Sequence, residues 1–293
     1  MGLLQKYDYV PVAAEVDAFV AQTKENIDKW NTKEVYQAAL GMIDLTSLTV
    51  TDSPSSIKQM VKRVNAFHDK YPQYPLPASI CVYPNFANVI KKNKTEDSVH
   101  ITVVGGCFPA SQSMLIVKVL ECMEAVKDGA DEVDIVISVG SLLDMDYEEV
   151  SKEISTISQT IKQLKPSVHL KVILETGVLD LHQIATASFL AMEAGADFIK
   201  TSTGKVSPAA TPEAAVVMCN CIKQYYAETG RKVGFKPAGG IVTAEDAALY
   251  YGIVDQILGS EWLTPEWFRF GASRMANNLL TAKIIINCKL RLY

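Results

Sequence analysis

The sequence predicts an α/β fold, a single (β/α)8 (TIM) barrel with an N-terminal helical extension. Three observations carry this. From about residue 38 of the 293-residue chain, strand-like and helix-like patterns alternate to the end in eight units. Several apolar strands each enclose a charged residue, as strands do when alternate side chains face a polar barrel axis. Hydrophobic residues make up 48% and charged residues 21%, enough for one large core. Length alone would suggest about two domains, but barrels of ~250 residues are single domains. We therefore divide the chain into an extension, 1–37, and a barrel, 38–293.

Residues 1–37 give no strand signal. Val12 to Trp30 is mostly helix-forming and is expected to plug or cover one end of the barrel. The first strand is read as Ala38 to Asp44, with a helix opening at Ser53-Pro54 and running to about Lys70. Ala78 to Tyr83 is the second strand, stopped by Pro84, and Phe86 to about Lys92 the next helix. His100 to Val104, broken by Gly105-Gly106, is the third strand. Ser111 to Lys127 then places Ile116, Val119, Leu120, Met123 and Val126 on one apolar helical face. Glu132 to Ser138 is the fourth strand, Asp146 to Leu164 a polar helix, and His169 to Glu175 the fifth strand. Leu181 to Ala194 is helical, and Asp197 to Ser202 is the sixth strand. Thr211 N-caps the following helix, with Pro212 in its first position and Gly230 closing it. Lys232 to Lys236 is the seventh strand and Phe268 to Phe270 the eighth, before a final helix.

The formal net charge of −5, without a basic run, argues against a nucleic-acid surface. No stretch approaches the ~20 apolar residues of a membrane span, and the start lacks a leader pattern, so a cytoplasmic location is expected. Cys81, Cys107, Cys122, Cys219, Cys221 and Cys288 show no zinc-type spacing and are expected to be reduced. Neither GxGxxG nor GxxxxGK[ST] appears where a dinucleotide or nucleoside triphosphate site needs it.

The chemistry centres on Lys200, in Asp197-Phe198-Ile199-Lys200-Thr201-Ser202-Thr203-Gly204-Lys205. An ammonium enclosed in an apolar strand must be paired or held partly neutral. Paired, it is a structural ion; neutral, it is a nucleophile toward carbonyls. Almost every lysine at its ordinary pKa of ~10.4 is protonated at neutral pH, so catalysis needs that pKa lowered. Lys236, in a strand of the same style, would lower it by like-charge repulsion. Asp134 is a carboxylate in an apolar strand that needs a cation and could relay protons. Lys171 and Glu175 share a strand parity and are read as parts of a polar interior; Asp44 is read as a supporting or substrate-contacting group. Gly204-Lys205, Gly239-Gly240 and Gly271-Ala272-Ser273-Arg274 follow late strands, where freed backbone N–H groups and cations suit a phosphate.

These stretches, with Ile43-Asp44-Leu45-Thr46, Ile80-Cys81-Val82-Tyr83-Pro84 and Lys171-Val172-Ile173-Leu174-Glu175-Thr176-Gly177, resemble the motifs of the deoxyribose-phosphate aldolase family in the same order, from about residue 38 to 275. The resemblance implies a class I aldolase, free of metal and other cofactors, that reversibly cleaves 2-deoxy-D-ribose 5-phosphate to acetaldehyde and D-glyceraldehyde 3-phosphate. By motif position, Lys200 would form the Schiff base, Lys236 would lower its pKa, and Asp134 would handle protons. Gly204, Lys205, Gly239, Gly240 and Ser273, with Thr203 beside them, would hold the phosphate. The family also implies small-molecule partners and a homodimer. This chain departs from the family's pattern at Phe108-Pro109-Ala110-Ser111 and at Arg274. Its last residue, Tyr293, matches a terminal tyrosine that assists proton transfer in many bacterial members. A Schiff-base aldolase with a different phosphosugar or aldehyde would keep Lys200. A non-catalytic phosphosugar-binding barrel would keep only the glycine turns.

Overall fold

The computed structural model describes residues 6–282 and Leu292; Cys288 and Tyr293 lie outside them. The described strands are β1 (Ile43–Thr46), β2 (Ser79–Val82), β3 (His100–Gly105), β4 (Glu132–Val136), β5 (His169–Ile173), β6 (Phe198–Lys200), β7 (Gly234–Lys236) and β8 (Phe270–Ala272). All pair in parallel, in the order β7-β6-β5-β4-β3-β2-β1-β8. Parallel bridges Phe235–Phe268 and Ala238–Gly271 join the two ends of that order, which makes the sheet a barrel. The expected fold is the observed one.

The helices, in chain order, are α1 (Ala13–Glu25), α2 (Lys33–Gly41), α3 (Pro54–Lys70), α4 (Ala87–Asn93), α5 (Leu115–Lys127) and α6 (Val139–Leu143). They continue as α7 (Tyr147–Leu164), α8 (Leu181–Glu193), α9 (Pro212–Thr229), α10 (Ala244–Leu258) and α11 (Arg274–Thr281). Local chemistry sets several of their ends. Ser53 and Asp180 close capping boxes on α3 and α8, and the Thr211 hydroxyl accepts from the Ala214 amide at the start of α9. Gly230 ends α9 in the left-handed region at φ 68°.

Three expectations need correction. Ala38 begins no strand: Thr32 caps α2, whose Val35, Tyr36, Ala39 and Leu40 form a buried helical stripe, and β1 starts only at Ile43. Among the described residues of the N-terminal segment, α1 lies on the barrel's flank and not across an end: it packs Val16, Val20 and Thr23 inward, against α9 and α10. The apolar face read on α5 is split, because Val119, Cys122 and Val126 are buried while Ile116 is 61% and Leu120 50% exposed.

Two layers of core result. Ile43, Leu45, Ile80, Val103, Val133, Val172, Ile199 and Phe235 belong to the continuous apolar core with the helices. The opposite parity carries Asp44, Thr102, Glu132, Asp134, Lys171, Phe198, Lys200 and Lys236, and all are buried. Phe198 occupies its place beside β7 because residue 234 is glycine; a Cβ there would lie 2.3 Å from the Phe198 ring.

Candidate active site

Strand register brings the predicted residues together before any side-chain contact is considered. Asp134 pairs with Lys171 across β4 and β5, Ile173 with Lys200 across β5 and β6, and Lys200 with Lys236 across β6 and β7. Lys200 Nζ donates to Asp134 Oδ2 at 2.8 Å, and Lys236 Nζ donates to the same oxygen at 2.7 Å. Lys236 Nζ also lies 2.5 Å from Asp44 Oδ2. Asp134 Oδ1 is buried and accepts no hydrogen bond from the described residues, with Lys171 Nζ at 3.5 Å.

Behind this trio the barrel is filled with further ion pairs. Arg269 Nη1 donates to Asp44 Oδ1 at 2.6 Å, and Arg269 Nη2 to Glu132 Oε1 at 2.8 Å. Lys171 pairs with Glu132, and His100 Nδ1 stands 2.8 Å from Glu132 Oε1. Among the described residues, and counted without Lys200 and the half-exposed His100, the axis holds three basic groups, Lys171, Lys236 and Arg269, against three carboxylates, Asp44, Glu132 and Asp134. A protonated Lys200 is therefore one positive charge in excess. The balanced state has Lys200 neutral.

The direction of each pKa shift follows from that arrangement. Burial is the main force that lowers the pKa of Lys200; Asp134 opposes it, and Lys236 lowers it further. The repulsion expected from Lys236 is present, but it comes second to burial. Lys236 is moved the other way: burial would lower it, but Asp134 and Asp44 together outweigh burial and raise it. Burial pushes Asp134 up, and Lys200, Lys236 and Lys171 together bring it down to about 2. One lysine is disposed to lose its proton and its neighbour to keep it.

At the carboxyl ends of the strands a cleft of about 210 Å³ is lined by Thr46, Leu48, Lys200, Thr203, Gly204, Lys205, Ala238, Gly239 and Gly271 to Ser273. Lys200, Thr203, Gly204, Lys205, Gly239 and Ser273 thus share one cleft. Gly240 adjoins it without lining it, while Asp44, Asp134 and Lys236 lie buried beneath. Gly239 has φ +85°, and a Cβ on it would stand 2.7 Å from Ala209 Cβ and 3.1 Å from Gly204 Cα. Glycine there lets two backbone turns touch and leaves N–H groups exposed for an anion. Lys205 Nζ donates to the Leu48 carbonyl across the cleft mouth.

A larger cavity, about 520 Å³, opens at the amino-terminal end of the barrel beside His100, His169 and Arg269. Size favours that cavity, but the chemistry favours the smaller cleft. Lys200 opens into the smaller one, at the strand ends where barrel active sites lie.

Several participants escape sequence reasoning. Glu132 and Arg269 pair across residues far apart in the chain, although a charged residue set between Phe268 and Phe270 is a signal that it points inward. Glu175 was expected to share the interior with Lys171. Instead it adopts a left-handed conformation, φ 59°, which breaks the alternation and turns its carboxylate to the Thr203 amide and hydroxyl at 3.1 and 2.6 Å. Glu175 therefore pins the turn that carries Gly204 and Lys205. Tyr293 lies outside the described residues.

Comparison with known proteins gives a consistent result. Residues 17–256 match the model of the DeoC/LacD family aldolases. A protein of Caenorhabditis elegans is 41% identical over 285 residues, spanning 94% of this chain and 88% of its own. The human deoxyribose-phosphate aldolase is 38% identical over 256 residues, 82% of this chain and 78% of its own. Among solved structures, the tetrameric deoxyribose phosphate aldolase of Aeropyrum pernix superposes with a TM-score of 0.67 at 23% identity, over 93% of this chain and 98% of the other; it supports the fold.

Proposed function

The chain belongs to the DeoC/LacD family of aldolases, and from that premise we propose that it reversibly cleaves 2-deoxy-D-ribose 5-phosphate to D-glyceraldehyde 3-phosphate and acetaldehyde through a Schiff base on Lys200. The observation that carries this reading is the pair of lysines on one carboxylate oxygen, at 2.8 and 2.7 Å, beneath a glycine-lined cleft.

In this mechanism neutral Lys200 Nζ adds to C1 of the open-chain sugar. Loss of water from the carbinolamine gives the protonated imine. The C3 hydroxyl loses its proton, the C2–C3 bond breaks, and its electron pair moves through C2 and C1 to the imine nitrogen. D-Glyceraldehyde 3-phosphate leaves an enamine on Lys200. Protonation at C2 and hydrolysis then release acetaldehyde and restore the amine. Asp134 Oδ1, which accepts no hydrogen bond from the described residues, suits the proton transfers. A carboxylate held near a pKa of about 2 is a weak base beside a cation; its basicity rises at the stages where the Lys200 nitrogen is neutral, the free amine and the enamine, and falls again beside the protonated imine. Lys236 stays protonated and keeps both partners in these states. Asp44, buried between Arg269 and Lys236, takes the supporting role of the two open to it.

The phosphate is assigned to Gly204, Lys205, Gly239, Gly240 and Ser273, with Thr203 supporting the turn. A charge-assisted contact of this kind contributes ~1.5–3 kcal/mol. Lys205→Met should therefore reduce the preference for 2-deoxyribose 5-phosphate over 2-deoxyribose, as a ratio of kcat/KM, by roughly 10- to 100-fold. An unchanged ratio would move the phosphate elsewhere.

We also read the protein as a cytoplasmic homodimer made of the barrel and its N-terminal extension. Two apolar side chains on the outer face of α5, Ile116 and Leu120, support a second copy there. Sedimentation equilibrium should give two chains per particle; one chain would end the dimer proposal. Among the described residues no helix is long and apolar enough to cross a membrane. Recovery of the protein in a particulate or organelle fraction would contradict the cytoplasmic location.

The direct test of function is incubation with 2-deoxyribose 5-phosphate and separate assay of both aldehydes. Equimolar release of acetaldehyde and D-glyceraldehyde 3-phosphate is expected. Turnover of other phosphosugars only would favour a sister aldolase specificity.

A further inference from the structure

We propose that Glu132 and Arg269 are positioning residues for the imine-forming lysine: they hold Lys171 and Asp44, which in turn hold Asp134 and Lys236 around Lys200. The contacts form a continuous column along the barrel axis. At its lower end the Glu132 carboxylate receives Arg269 Nη2 at 2.8 Å and Arg269 Nη1 at 3.1 Å, with Thr102 Oγ1 at 2.6 Å. The same Nη1 bonds Asp44 Oδ1 at 2.6 Å, so one planar guanidinium fixes the spacing of two carboxylates on β1 and β4. Lys171, paired to Glu132, sits 3.5 Å from both Asp44 Oδ2 and Asp134 Oδ1. Asp44 Oδ2 meets Lys236 Nζ at 2.5 Å, and Lys236 shares Asp134 Oδ2 with Lys200.

Two separable consequences follow. Glu132 supplies one of the three negative charges that balance Lys171, Lys236 and Arg269. Arg269 supplies geometry, because its planar fork holds both Glu132 oxygens through Nη1 and Nη2 while Nη1 also holds Asp44 Oδ1. Neither group lies in the cleft that holds Lys200, so neither touches substrate.

The charge arm is read without substrate, by competitive labelling of the full chain with acetic anhydride and mass spectrometry of the Lys200 peptide. Glu132→Gln leaves an uncompensated positive charge, which favours neutral Lys200. At a fixed pH on the acidic limb of the labelling curve, Lys200 should react at least roughly threefold faster than in the parent. The same variant should lose about tenfold or more in kcat for 2-deoxyribose 5-phosphate, because Lys171 and Asp134 lose their anchor. A purely structural role would not raise amine reactivity while lowering turnover. Arg269→Lys keeps the charge and is the milder change. It should leave the labelling curve in place and lower kcat about tenfold, with KM changed far less. The proposal rests on the aldolase reading only for its kinetic arm. Absence of turnover in the parent would defeat that reading, while labelling still decides the column. Glu132→Gln with the parent's labelling curve, or Arg269→Lys with the parent's kcat, overturns the proposal.

Discussion

Lys200→Met abolishes cleavage, lowering kcat by at least ~10⁴-fold, and leaves the fold intact. The two halves of this expectation have one cause. Among the described residues, the variant removes the only amine of the buried network that opens into the strand-end cleft, so no imine forms there. It removes no charge that the network needs, because Lys171, Lys236 and Arg269 already balance Asp44, Glu132 and Asp134. Methionine fills most of the lysine's volume without a charge to solvate. Thermal unfolding should therefore shift by no more than a few degrees. Large destabilisation would show Lys200 to be a structural cation, the plain alternative for a buried lysine.

Lys236→Leu, in contrast, should destabilise the fold. It leaves Asp134 and Asp44 buried without their shared cation, and breaking such a pair costs about 3–5 kcal/mol. The pH dependence has a definite sign. In the parent both carboxyl groups are held below their ordinary pKa, so their ion pairs contribute stability above the carboxylate range and lose it as pH falls. Without Lys236 those pKa values rise, and protonation relieves the buried charge. The stability deficit of the variant is therefore largest near neutral pH and shrinks toward the carboxylate range. Denaturant unfolding at several pH values measures it; a deficit independent of pH would contradict the ion-pair assignment. Turnover should also fall, by roughly 10²-fold or more, since Asp134 loses its fixed orientation.

Much of this was legible in the sequence because it is local. Helix starts are written in Ser53, Asp180 and Thr211, whose side chains bond amides three residues on. Lys200, Lys236 and Asp134 stand out in sequence as charges enclosed in apolar strands. What was not legible depends on pairings between distant residues or on a single backbone angle. Ala38 to Gly41 is equally apolar as strand or helix, and the Thr32 cap with packing against α10 decides for helix. The segment ahead of it carries apolar residues without saying where they dock, so its place on the barrel flank emerges only from contact with α9 and α10. Glu175 keeps the strand parity of Lys171 in sequence, yet one left-handed residue sends it to Thr203. Arg269 stands between Phe268 and Phe270 in sequence, but its partners Glu132 and Asp44 are distant in the chain and meet its guanidinium only in the fold.

The measurement that bears most directly on the mechanism is borohydride reduction in the presence of acetaldehyde, with peptide mass spectrometry, on the parent and Lys200→Met. The geometry predicts a stable two-carbon adduct on Lys200 alone, absent from the variant. An adduct on Lys236 or Lys171, or none at all, would contradict the assignment of Lys200 as the imine-forming amine.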